Sequence, residues 1–132
     1  MSNFLIWLKW LVALVGGLLT SLLGGWDMAL QVLVLFVILD YATGLVAAYG
    51  EQSLSSRVGF RGITKKIMLF VPVAVAYWLD MLLGQEILRS LAIFFYIANE
   101  GLSMLENLGR AGVPCPEQIQ TALEQLKGDE SK

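Results

Sequence analysis

Four stretches of this chain, residues 4–23, 28–49, 67–83 and 88–105, are apolar almost throughout. A bilayer core of about 30 Å takes roughly 20 helical residues, so each stretch is close to the length of a crossing. Lys9 interrupts the first, Asp40 the second, Asp80 the third, and Asn99 with Glu100 the fourth; Arg89 stands at the entrance of the last. Backbone groups in lipid must be satisfied within the segment, which selects helices. The runs do not alternate apolar and polar residues, as a lipid-facing barrel strand would. The expected fold is therefore all-α: a polytopic domain over 1–111 with about four transmembrane helices, then a tail over 112–132 carrying a short amphipathic helix.

Composition supports this. Of 132 residues, 57% are hydrophobic and 15% charged, against roughly 25% charged in an average soluble domain. A small domain buries only about two-thirds of its unfolded surface, too little to hide so many apolar side chains. The net charge of -2 offers no electrostatic footprint for nucleic acid. There is no histidine and one cysteine, so the commonest general base and metal ligand is missing, as is any internal disulfide. No serine or threonine sits in a catalytic motif. The chain reads as a non-enzyme with no metal and no cofactor.

Short connections at 24–27 and 84–87 predict tight helical hairpins. Residues 51–66 form the one substantial loop, with Arg57, Arg61, Lys65 and Lys66 against the single acid Glu51. Cytoplasmic loops retain Lys and Arg, which places this loop inside; with four crossings both termini are then cytoplasmic. The first stretch lacks a basic leader and a small-residue cleavage site, so it is expected to stay as a helix. Arg57, Arg61 and Lys65 follow at i, i+4, i+8. The bases either fix topology only, or form a short interfacial helix facing anionic headgroups. Past the prolines at 114 and 116, Ile119, Ala122, Leu123 and Leu126 share one helical face, and residues 128–132 form a polar, frayed end.

Two intramembrane patterns are candidates for function. Ala13, Gly17, Ser21 and Gly25 recur every four residues on the first helix; such ladders let membrane helices approach closely, within one chain or between chains. Asp40, Asp80 and Glu100 are costly in lipid, about 2.5–3.5 kcal/mol each for a charge at mid-membrane on insertion scales. At 1.5 Å per residue, Asp40 and Glu100 both lie about 16–18 Å from the outer ends of their helices. They are expected to face each other, with Lys9 approaching from the inside and Asp80 within reach of Arg89. Each acid shares a stripe with polar or small residues, including Gly44 beside Asp40, and Asn99 and Ser103 beside Glu100. The stripes form either a satisfied internal network or faces that line water or a rearranging oligomer contact; a proton relay is a third reading.

Four fragments carry a resemblance. Asp40-Tyr41-Ala42-Thr43-Gly44 resembles a D-Y-x-T-G signature. Residues 56–66 are similar to S-x-x-G-x-x-G-x-x-K-K, residues 99–107 to N-E-x-x-S-x-x-E-N, and residues 112–126 to a G-x-P-x-P and amphipathic ending. Together, over 40–127, they resemble the phage-lysis and toxin-secretion holin family. That resemblance implies a bacterial cytoplasmic-membrane protein of a phage or prophage. It implies a homo-oligomer that forms lesions and lets an endolysin, or a large toxin, leave the cell without necessarily touching it. No cofactor is implied. An antiholin, an accessory subunit of another pore and a small ion channel are the competing classes. Asp40, Asp80, Asn99, Glu100 and Ser103 are the expected intramembrane or pore-associated residues.

Overall fold

The computed structural model describes residues 2–128; the polar ending expected over 128–132 lies, beyond Gly128, outside the described residues. The described chain is helical, with no strand: α1 Asn3–Leu22, α2 Met28–Gly50, α3 Ser56–Met68, α4 Phe70–Leu83, α5 Leu88–Arg110 and α6 Glu117–Lys127.

Among the described residues, three helical segments, rather than the four expected, are long and apolar enough to cross a membrane: Asn3–Leu22, Met28–Gly50 and Gly59–Leu83. The fourth stretch does form a helix, α5. Arg89, Asn99, Glu100, Glu106, Asn107 and Arg110 dilute its apolar content, which is why it falls short of the other three. A count of three also removes the even-number argument that put both termini on one side.

Residues 51–66 are not the single loop expected. Only the first few form a loop. From Ser56 the chain is helical and runs almost directly into α4, so the third apolar segment begins at Gly59 rather than 67. The interruption at Leu69 has a local cause. Pro72 has no N–H to give the Met68 carbonyl, and its ring crowds the turn before it.

The core lies between α2, α4 and α5, where Leu30, Leu33, Val37, Val73, Ile93 and Ile97 form one buried cluster. Helices α2 and α5 run parallel. Their first turns meet through Arg89 and Asp27, their last through Arg110 and Glu51. Helix α6 folds back onto α5, with Leu123 as its buried residue. Helix α1 buries none of its residues.

The hairpins explain why glycine stands where it does. Gly24 has φ +93°, a region closed to most L residues. An added Cβ there would also lie 2.6 Å from both Arg89 Nε and the Tyr77 ring. Gly84, at φ 68°, ends α4 in the left-handed conformation.

Candidate functional site: an ion-bridged seam between three helices

Asp40 projects from the middle of α2 and is 3% exposed. A carboxylate so buried needs partners for both oxygens. Asn107 Nδ2 of α5 donates to Asp40 Oδ1 at 2.8 Å and to the Asp40 carbonyl at 3.1 Å. Lys66 Nζ of α3 donates to Asp40 Oδ2 and also to Glu100 Oε2 of α5. One ammonium thus bridges two carboxylates from two helices, and the cluster carries a formal charge of one negative unit when all three are ionised. Thr43 Oγ1, one turn from Asp40, accepts from Asn107 Nδ2 at 3.1 Å and donates to the Leu39 carbonyl at 2.7 Å. Among the described residues, no buried side-chain nitrogen or oxygen lacks a partner.

Small residues make these approaches possible. A Cβ on Gly44 would meet Asn107 Nδ2 at 3.4 Å. Tyr41 lies against α3, its hydroxyl donating to the Gly59 carbonyl at 3.3 Å. Side chains on Gly59 or Gly62 would come within 3.3 and 3.2 Å of Tyr41. Gly101 of α5 lies under Leu123 of α6: an added Cβ would be 2.6 Å from a Leu123 methyl and 3.2 Å from the Phe36 ring.

A second polar cluster closes the end of the bundle that holds the hairpins. Asp80 accepts from the backbone N–H groups of Leu88 and Arg89 at 2.9 and 2.8 Å. It thereby satisfies free donors of the first turn of α5. The Arg89 guanidinium turns the other way. It donates to the Leu23 carbonyl at 2.6 Å, the Gly25 carbonyl at 3.1 Å and Asp27 Oδ2 at 2.6 Å. Asp27 also accepts from Leu30 N at 3.0 Å, capping α2. The hydrogen bond from Arg89 holds the Asp27 carboxyl below its ordinary range. At the opposite end Arg110 pairs with Glu51 at 2.7 Å, which likewise lowers the Glu51 carboxyl.

Of the residues singled out from sequence, the structure brings Asp40, Glu100, Gly44 and Lys66 together. Lys9 is not the cation at Asp40; Lys66 is, so Lys66 leaves the surface group to which it was assigned. Arg57, Arg61 and Lys65 remain exposed along α3. Asp80 meets Arg89 through its backbone rather than its guanidinium. Asn99 and Ser103 are half-buried on α5 and stand outside these contacts. Of the ladder of Ala13, Gly17, Ser21 and Gly25, the last lies beyond the end of α1, in the hairpin, where its carbonyl accepts from Arg89; α1 itself buries none of its residues, and an added Cβ at Gly17 would meet no described atom within 4 Å.

Asn107, Tyr41 and Arg89 carry more of the site than their sequence positions suggested. A signal for Lys66 existed: it follows Gly62 by four residues and precedes Phe70 by four, on the inward side of α3. Among the described residues, no group of three or more His, Cys, Asp or Glu side chains could hold a metal ion.

The fragments at 40–44, 56–66, 99–107 and 112–126 thus meet in space, as Asp40–Lys66, Tyr41–Gly59, Glu100–Lys66, Gly44–Asn107 and Gly101–Leu123. Comparison with known proteins agrees with what those fragments resemble. Residues 17–128 match the Bacteriophage holin family. A 14.9 kDa protein from the nagH 3' region of Clostridium perfringens is 44% identical over 128 residues, covering 96% of this chain and 97% of its own. A protein of Halalkalibacterium halodurans is 43% identical over 131 residues, 95% of this chain and 97% of its own. A probable holin of Bacillus phage phi105 is 35% identical over 101 residues, 76% of this chain and 75% of its own. No solved structure matches the chain. The match spans the whole seam and the helix that folds back over it, and the chain belongs to the bacteriophage holin family.

Proposed function

We propose that this protein is a holin in action as well as in family: it assembles in the bacterial cytoplasmic membrane and opens lesions through which a folded endolysin, or a toxin, passes. The observation that supports this reading best is the Lys66 bridge. Charged and amide groups from α2, α3 and α5 lie together inside a bundle that turns large apolar side chains of α1, α2 and α4 outward. Such a seam is tolerated in lipid only while it stays internally paired. Rearrangement in an oligomer gives the same groups water instead, so one sequence has two satisfied arrangements, as a switch requires.

In this reading α5 crosses the membrane with α2. Its 23 residues reach about 34 Å, it lies along α2 from end to end, and much of its polar content turns inward. Crossing by α5 restores cytoplasmic placement of both termini, with Arg57, Arg61 and Lys65 toward anionic headgroups. Assembly partners are further copies of the same chain; the endolysin needs only the opening.

The test is expression of this chain alone in cells carrying a folded cytosolic reporter protein. A holin halts growth abruptly and releases the reporter when a muralytic enzyme is supplied. Retention of the reporter at full membrane expression would assign the chain to modulation of another pore.

A further inference from the structure

Helix α6 lies where a membrane protein would not leave it. Leu123 sits over Gly101, nine residues before the end of α5, about 13 Å along that helix. Gln118, Thr121, Glu124 and Gln125 point outward and are exposed. On the proposed function, with α5 crossing beside α2, that polar face lies at the depth of lipid tails. Lipid offers those groups no hydrogen bonds.

The attachment carries no polar lock. Leu123 is the one buried side chain of α6, while Ile119 and Leu126 on the same stripe stay 47% and 43% exposed. Among the described residues no hydrogen bond or ion pair joins α6 to α5. The linker, residues 111–116, holds Gly112 at φ 85° and two prolines. The place Leu123 occupies is, in contrast, a close fit, a glycine gap walled by Phe36. Gaps of this kind on a membrane helix admit another helix at short range, and this one adjoins Glu100 and the Lys66 bridge.

We propose that α6 is a displaceable latch: docked through Leu123 it occludes the Gly101 gap on α5 of the single chain, and permeabilisation requires it to leave. Released, α6 lies on the membrane surface with Ile119, Leu123 and Leu126 toward lipid, and the exposed gap takes a helix of a second copy. This rests on the proposed function.

The experiment locks the latch. In full-length protein with Cys115→Ser, Gly101→Cys and Leu123→Cys are combined and reconstituted in vesicles of anionic and zwitterionic lipid loaded with a folded fluorescent protein. Oxidation is expected to join the two thiols within one chain and hold leakage at the protein-free rate; reductant is then expected to start leakage from the same protein. Leu123→Ala alone is expected to shorten the lag before leakage. Leakage from fully cross-linked protein as fast as from the same protein reduced overturns the latch. Failure of the thiols to join within one chain overturns the docking. Wild-type vesicles that never leak overturn the proposed function instead, and the intrachain yield still reads the docking.

Discussion

Lys66 of α3 holds Asp40 of α2, and the same ammonium holds Glu100 of α5. A single cation therefore joins three helices in the interior of a chain with 15% charged residues. Its removal leaves two carboxylates facing each other in a poorly hydrated site. Breaking a buried pair from one side costs about 3–5 kcal/mol, whereas replacing all partners with neutral groups is often close to neutral. Lys66→Met is expected to lower the unfolding midpoint in detergent strongly. Lys66→Met combined with Asp40→Asn and Glu100→Gln is expected to regain most of the loss, and thermal melts of wild type and the two variants check it.

The hairpin glycine at 24 and the ladder glycine at 17 should respond oppositely to alanine. Gly24→Ala combines a positive φ with collision against Arg89 and Tyr77, and strained backbone of this sort costs on the order of 1–3 kcal/mol. Gly17→Ala meets open space and leaves single-chain stability unchanged. If Gly17→Ala alters oligomer size on cross-linking while the melt is unmoved, the ladder acts between copies.

Tyr41 anchors α3 to α2 through contact with two glycines and one hydrogen bond. Tyr41→Phe removes only the bond to the Gly59 carbonyl, worth about 0.5–1.5 kcal/mol, and is expected to be mild. Gly62→Val fills the space the ring occupies, 3.2 Å from a Cβ, and is expected to separate α3 from α2 and weaken the Lys66 bridge. Limited proteolysis around residues 51–57 distinguishes the two variants.

The hairpin clamp is acid-sensitive. Hydrogen bonding by Arg89 depresses the Asp27 carboxyl below its ordinary 3.8. A carboxyl depressed in the folded state binds its proton more readily when unfolded. Its stabilisation is therefore fully present above the ordinary value and lost as pH falls through the depressed one. The midpoint difference between wild type and Asp27→Asn is expected to be constant above pH 5 and to shrink below the ordinary 3.8, as a pH series of melts will report.

Much of the fold was legible from hydropathy and turn residues. Helices α1, α2 and α5 start within a residue of the apolar runs that predicted them, because Gly24, Asp27 and Gly84 punctuate the chain locally. The start of the third helix was not legible. Residues 56–66 are too polar for a simple hydropathy reading, and their helix is stabilised by Tyr41, 18 residues from Gly59. Asp40 and Glu100 could be paired by depth, since helical rise is uniform. The identity of their cation could not, because depth alone does not say which helix lies third against the pair. Arg89 illustrates the same limit: proximity to Asp80 was readable, but its guanidinium is directed by the carbonyls of Leu23 and Gly25, which only the hairpin geometry presents.

On the proposed function, the seam between α2, α3 and α5 is dry in the single chain and wet in the assembly. Thr43→Cys in a Cys115→Ser background puts one thiol in that seam, beside Asn107 and Asp40. Its reaction with a small water-soluble thiol reagent should be slow in sparsely loaded, sealed vesicles and fast at the density where vesicles begin to leak protein. A thiol that stays protected while the vesicles leak would show that the seam remains closed in the assembly and does not form the opening.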